Sequence, residues 1–526
     1  MSKITIKPRI KNHIPSKQAL GELLASEQHT SGPVVSSKEG LDEEQLSWLL
    51  LDEKIKPIVP GWYYVTRDPI LMPQDDNRSD WYRAYWPFIV AYLDDKYGNA
   101  WCLSADSSLL FHSGNGLVPT QLTVRCDRED DSVLKLPCGL ELLEVGVRGM
   151  DEEAVKESRY GLRLFSLPHA LMMASPWFFS CHPTEARTCI SLLENVDIGD
   201  FPSYCLDNPL GMARLAGALK SLGHEDIPLM KQVVKELVGR GFGKMEIASP
   251  FKENITIPMN GSAVASRIRL MWDGCLGAVL FEKKLQEIEP RGRTDAEVMR
   301  MMDKAFVDDA VNSILLEGGS MTPELAAMAA DETWEPDPRT EQDKLLTKLA
   351  AKGYGEAFRM AKRDILDALT GGECVADLVR CVPDWHRELL LPFHRAGLEG
   401  YDTLRYRDRE CPVTIDRYIP VAPDAIPHAM RELCELMRSE PDPFVRAVMG
   451  HFFIMYIQPF GKGNGLVARL LMNSQLVTGG YPWITIPESK KTRYGFDIEY
   501  GCVEDYSIGL ASLVASLVSD QMLKET

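Results

Sequence analysis

The chain contains no run of about 18 apolar residues, so no segment of it is suited to cross a membrane as a helix. It has no internal repeat, no low-complexity tract and, among twelve cysteines, no CxxC pair. The nearest approach to a metal cluster is Cys181–His182 with Cys189, a spacing that fits no usual zinc site. Scattered thiols of this kind suit a reducing compartment, and the expected location is cytoplasmic. Positive charge is in deficit: 58 Lys and Arg stand against 76 Asp and Glu, a net charge of −18. A surface that acidic does not coat nucleic acid or an anionic membrane. The opening stretch MSKITIKPRIKNHIP is basic but lacks the apolar centre of a secretory signal, and none is expected.

What is present is enough apolar matter, 45% of 526 residues, for a large core. At about 100–200 residues per domain the length suggests three or four domains. Residues 1–75 read as helix, loop, helix and hairpin. LGELLASE and LDEEQLSWLLLDEKI supply the helices, the second with Leu46, Leu49 and Leu50 on its apolar side. Pro60–Gly61 then turns into the strand Trp62–Val65, a wing-like element. Residues 1–70 carry as many acids as bases, which counts against a DNA-binding face. Residues 76–290 read as mixed α+β: AYWPFIVAYLDDKYG is an aromatic helix, and QLTVRC, SVLKLP and LELLEVGVRG are strands. GMARLAGALKSLG and PLMKQVVKELVGRG are helices closed by glycine. In pattern, roughly 15–280 resembles type IV (abortive-infection) antitoxin regulators, a winged helix ahead of a mixed domain, without any catalytic motif. From Thr294 the chain reads as helical, with a polar link at PDPRTEQDK and an extended segment at TIDRYIPV. The expected fold class is mainly α.

The densest chemical signal is HFFIMYIQPFGKGNGLVARLLMN, residues 451–473. Its first part is apolar all round, as a central buried helix must be. Pro459 ends that helix, because the residue before a proline is driven out of the helical region. Gly461, Gly463 and Gly465 permit a tight loop before LVARLLMN resumes as helix. Amides of a glycine-rich loop that opens a helix converge on one point, with the helix dipole behind them, and form an anion site.

The same string resembles the signature of the Fic (Fido) family, His-x-Phe-x-Asp/Glu-Gly-Asn-Gly-Arg-x-x-Arg, whose members typically transfer AMP from ATP to a protein hydroxyl. Pro459, Phe460, Gly463, Asn464, Gly465 and Arg469 match it. The likeness runs back through TIDRYIPVAPDAIPHAMREL, similar to the family's flap and next helix, and DWHRELLLPF, similar to an earlier one. Forward it continues through DIEYGCVEDYSIGLASLV, so that it spans roughly 300–520. It implies a helical Fic domain over 300–526 with a short β flap. Three positions depart. Gln458 stands where the family has its general base, and an amide cannot accept the proton. Lys462 replaces the acid that holds Mg²⁺, so Mg²⁺ is not expected there, although an ammonium could itself neutralise phosphate. Leu466 replaces a phosphate donor, and Arg469 is retained. His451 lies about 10 Å before Gln458 along the helix and reads as a core histidine. The resemblance therefore assigns Lys462, Gly463, Asn464, Gly465 and Arg469 to a phosphate or nucleotide, ATP or another phosphorylated donor, with no metal ligand.

A second element, VNSILLEGG, resembles the family's inhibitory helix, Ser/Thr-x-x-x-Glu-Gly/Asn, through Ser313, Glu317 and Gly318, near 308–318. Four residues apart, Ser313 and Glu317 share a helix face. Glu317 ends the helix, where the dipole disfavours negative charge and a nearby cation would relieve it. In the family this Glu pairs with the second motif Arg and blocks the γ-phosphate position; the partner here would be Arg469.

Three functions follow. One is a degenerate Fic protein, with the fold and anion loop kept and the base and metal ligand lost, that binds a nucleotide or a protein partner as a regulator. Another is an active protein-modifying transferase of altered chemistry. The third is a DNA-binding transcriptional or toxin–antitoxin regulator working through the N-terminal half. A protein target or regulatory partner is expected in the first two, and each admits a homo-oligomer.

Overall fold

The computed structural model describes residues 34–36, 43–66, 78–148, 155–157, 161–371, 374–398, 401, 405–409 and 417–525. These fall into two compact units, Met1–Cys102 with Thr120–Met150 and Glu157–Arg163, and Leu103–Pro119 with Asp151–Lys156 and Leu164–Thr526. The protein is mainly α. No helix among the described residues is long and apolar enough to cross a membrane.

In the first unit a helix, Glu43–Leu51, leads into a hairpin of β2 (Ile55–Val59) and β3 (Trp62–Val65), turned at Pro60–Gly61, where Gly61 takes φ 84. Strand β1 (Val34–Ser36) pairs antiparallel on the other side of β3. The expected LGELLASE helix lies outside the described residues. A second sheet runs in the order β4 (Trp101–Leu103), β5 (Gln121–Cys126), β7 (Glu141–Gly146), β6 (Ser132–Lys135). Its β5 and β7 are parallel, and β6 returns antiparallel. The helix Arg78–Tyr97 buries Trp81, Tyr85 and Phe88, with Phe88 edge-on to Trp62 at 5.9 Å.

The second unit is a helical body. Nine of its helices position the site: α1 (Ala263–Leu285), α2 (Asp295–Leu316), α3 (Gln342–Leu369), α4 (Val382–Arg395), α5 (Ile426–Ser439), α6 (Pro443–Ile457), α7 (Asn464–Thr478), α8 (Lys491–Glu504) and α9 (Ile508–Lys524). Because α6 is apolar on nearly every face, with Arg446 and His451 its only strongly polar side chains before Tyr456, it is stable when enclosed, and it is buried from Phe444 to Ile454. Helix α1 belongs to this same core, with Trp272 stacked on Phe453 at 5.9 Å and 12°. The boundary expected near 290–300 thus cuts through one core: the polar stretch around residue 290 connects two packed helices. The boundary at 75 likewise falls inside the first unit.

Residues 417–421 of the segment expected as a flap are described. Tyr418 forms an antiparallel bridge with Leu117, Val118 N–H donating to Arg417 O at 2.7 Å and Ile419 N–H to Gly116 O at 2.8 Å. The approach demands glycine at 116, since a β-carbon there would sit 1.9 Å from Ile419 O. Thr414–Asp416 lie outside the described residues.

Candidate anion site

The site begins where α6 stops. Ile457 is its last residue, and Gln458 caps it with φ 45 and ψ 65, a left-handed backbone that non-glycine residues adopt rarely. Pro459 denies Gln458 the right-handed helical region, and the turn is then held from outside by Arg407. The Arg407 guanidinium, buried, donates to Gln458 O at 2.7 Å, to Ile457 O at 3.4 Å and to Val421 O, and its own N–H reaches Pro459 O at 2.9 Å. One arginine thereby ties Val421 to the start of the loop.

Asn464 closes the loop on itself: its carboxamide accepts from Phe460 N–H at 3.0 Å and donates to Phe460 O at 2.8 Å. Beneath, the His386 ring stacks on Phe460 at 3.7 Å and 8°, and its Nε2 bonds Lys462 O at 2.8 Å. A carbonyl partner requires the Nε2–H tautomer, and burial pushes the imidazole pKa down to about 4, so His386 is neutral. Lys462 is exposed, its ammonium 4.2 Å from the centre of the Tyr401 ring. Gly463, φ 77, begins α7. The glycine loop expected over Gly463–Gly465 ends two residues earlier: Asn464 and Gly465 already form the first turn of α7, and the loop proper is 458–463. Leu466 is half-buried against the core.

Arg469 follows one turn later, 1% exposed. Every partner it has lies on another element. Nε donates to Ser313 Oγ at 3.1 Å, Nη2 to Ser313 O at 2.9 Å and to Glu317 Oε1 at 3.0 Å, and Nη1 to Tyr494 Oη at 3.2 Å. Burial works against its charge, but Tyr494 and Glu317 outweigh that and its pKa is raised. With Tyr494 Oη accepting from Arg469, its proton goes to His451 Nε2 at 2.9 Å. Burial, and then Arg469, push His451 down to about 3, and the ring is neutral.

Glu317 caps α2, and Gly318, φ 81, turns the chain away. Lys491 donates to Leu315 O at 3.0 Å, a cation at the negative end of the helix. The Glu317 side chain is 34% exposed and lies across the first turn of α7: a β-carbon on Gly465 would be 2.1 Å from its Oε1. Ser313, Glu317, Gly465 and Arg469 are therefore one cluster. Gln458, Lys462 and Gly463 belong to the adjoining loop, and Asn464 closes it from the first turn of α7. Among the described residues no three His, Cys, Asp or Glu side chains are grouped to hold a metal ion. Sequence reading missed Arg407, His386, Tyr401 and Tyr494. Of these only His386 carried a signal, its place in DWHRELLLPF; the charged run around Arg407 reads as an exposed loop.

Residues 384–476 match the Fic/DOC family, and this is the stretch that builds the loop, α6 and α7. The protein carries a Fic domain. The Fic-domain chain is 24% identical over 250 residues to the protein adenylyltransferase Fic of Drosophila yakuba, covering 45% of this chain and 46% of the relative. It is 29% identical over 110 residues to protein adenylyltransferase fic-1 of Caenorhabditis elegans, 20% of this chain and 22% of that one. A solved structure of Fic-1 from Caenorhabditis elegans aligns over 68% of this chain and 89% of that one at 16% identity, with a TM-score of 0.34. The chain spans about half the length of the curated Drosophila relatives it matches.

Proposed function

We propose that this Fic domain binds a nucleotide or other phosphorylated ligand, has lost AMP transfer, and is held shut by Glu317. The observation that carries the reading is the Glu317 carboxylate lying on Gly465 with Arg469 beneath it. Its oxygens stand where phosphate oxygens would be received, between the positive end of α7 and a buried guanidinium. A ligand phosphate must displace Glu317 to reach Arg469.

Loss of transfer follows from residue type. The Gln458 amide cannot take a proton from a target hydroxyl, a function worth about 10²–10⁴ in rate. Two buried histidines lie nearby, and each is committed elsewhere: His386 to Lys462 O and His451 to Tyr494. Lys462 brings a positive charge where a divalent cation would need an acid, so the residues present do not fit Mg²⁺, and ligand binding is expected without it. The relatives named as protein adenylyltransferases support a protein partner for this domain, and the loss of transfer makes its role toward that partner regulatory.

Calorimetric titration with ATP, with and without Mg²⁺, tests this. Glu317→Gly should bind about tenfold more tightly than wild type, and Mg²⁺ should add nothing. Equal affinities for the two proteins, or binding that requires Mg²⁺, would overturn the reading.

A further inference from the structure

A helix leaves the carbonyls of its last turn without partners of its own, and the groups that meet them fix how the chain departs. At the end of α6 three successive carbonyls are met by side chains from other segments. Arg407 takes Ile457 O and Gln458 O, and the Tyr418 hydroxyl donates to Tyr456 O at 2.9 Å. Tyr418 is 1% exposed and its ring lies 4.9 Å from that of Tyr456, so its place is set by what surrounds it.

From this point two arms run to residues well outside the stretch 384–476 that matches the Fic/DOC family. Along the first, the Tyr456 hydroxyl accepts from Arg267 Nε of α1 at 2.9 Å. Arg267 is buried and is neutralised by Asp505 at 2.5 Å and by Glu185, on the helix Pro183–Ser191, at 2.8 Å. Along the second, Tyr418 pairs antiparallel with Leu117. Asn115 closes the ring: its Nδ2 donates to Glu185 Oε1 at 2.7 Å, and its Oδ1 accepts from Leu117 N–H at 2.9 Å. Glu185 is buried, and its Oε1 serves both Asn115 and Arg267, so moving either donor disturbs the other. All of these residues lie in one compact unit.

We propose that Asn115 is a positioning residue of the anion site. It sets the end of α6, and with it the loop 458–463, through Glu185, Arg267 and Tyr456 on one side and through Leu117 and Tyr418 on the other. A loop held in its binding geometry beforehand leaves the ligand less ordering to supply. The inference rests on the anion-site reading for its ligand, though not for the geometry of the loop.

The test is ATP titration of full-length Glu317→Gly with and without Asn115→Leu, which keeps the side-chain size and removes both hydrogen bonds. Affinity should fall about three- to tenfold, the equivalent of one net hydrogen bond. Hydrogen–deuterium exchange of amides 460–466 in the ligand-free protein should quicken by a similar factor. Tyr418→Phe, which removes only the hydroxyl, should do the same, and the double variant should lose less than the two factors multiplied, because both changes open one ring. Leu237→Ala, buried in the helix Pro228–Gly239 and outside the ring, controls for general destabilisation and should alter neither reading. Should Asn115→Leu fail to fold, Tyr456→Phe opens the ring at Arg267 and carries the same expectations. In a protein that binds ATP, an affinity indifferent to Asn115 and Tyr418, or equal losses in Leu237→Ala, would overturn the inference. No ATP binding by Glu317→Gly would instead overturn the anion-site reading, and the exchange rates alone would then decide whether Asn115 holds the loop.

Discussion

The Glu317 carboxylate rests on the backbone of Gly465, so close that a single methyl group there would overlap its Oε1. The contact joins the end of one helix to the start of another. The carboxylate, unfavourable at the C-terminus of α2, gains the positive end of α7 and the Arg469 guanidinium at 3.0 Å.

Gly465→Ala should therefore expel Glu317 and destabilise the protein by about 1–3 kcal/mol, the range for forced overpacking. The cost should shrink in a Glu317→Gly background, where the obstructing oxygen is gone. Urea unfolding of the two single variants and the double variant measures this coupling; strictly additive effects would mean that the contact carries no strain.

Glu317→Gly alone should cost about 1–2 kcal/mol in the ligand-free protein. Arg469 is fully buried, which raises the value of its partner, but Glu317 is one-third exposed and water screens the pair. Saturating ATP should restore more stability to this variant than to wild type, as thermal unfolding with added nucleotide would register.

AMP transfer to protein should be absent in wild type and should return when Gln458→His, Lys462→Asp and Leu466→Arg are combined with Glu317→Gly. The turn that presents residue 458 is held through backbone carbonyls by Arg407, whatever side chain stands there. Labelling of lysate proteins with a tagged ATP analogue distinguishes the variants. Efficient labelling by the unmodified chain would refute the loss of the base.

Acid should weaken the protein through its buried histidines. His386 and His451 titrate at about 4 and about 3 when folded, against 6.5 ordinarily. Below pH 6.5 the unfolded chain binds protons that the folded one refuses, so stability is lost as pH falls, by about 1.4 kcal/mol per unit for each ring. Asp309 acts in the opposite sense between about 4 and 6, because its folded pKa is raised and the folded state holds the extra proton. His386→Gln should flatten the acid limb of unfolding free energy against pH by about one proton between pH 6.5 and 4.

Much of this was written in local order along the chain. The apolar run before Pro459, the glycines after it and the Ser313–Glu317–Gly318 spacing are short-range patterns, because helix periodicity and proline sterics act within a few residues. The missing base is a matter of residue type at 458 and needs no structure to read. Packing decided the rest. Arg407 reaches carbonyls about 50 residues further on, and Arg469 finds Glu317 at a separation of 152. No local pattern marks such partners; the fold supplies them by burying a charge that then has to be matched. The same burial decided which acid has its pKa raised: Asp309 looks no different from Asp308 in sequence, and only the direction of the helix face sends one into the core and leaves its neighbour outside.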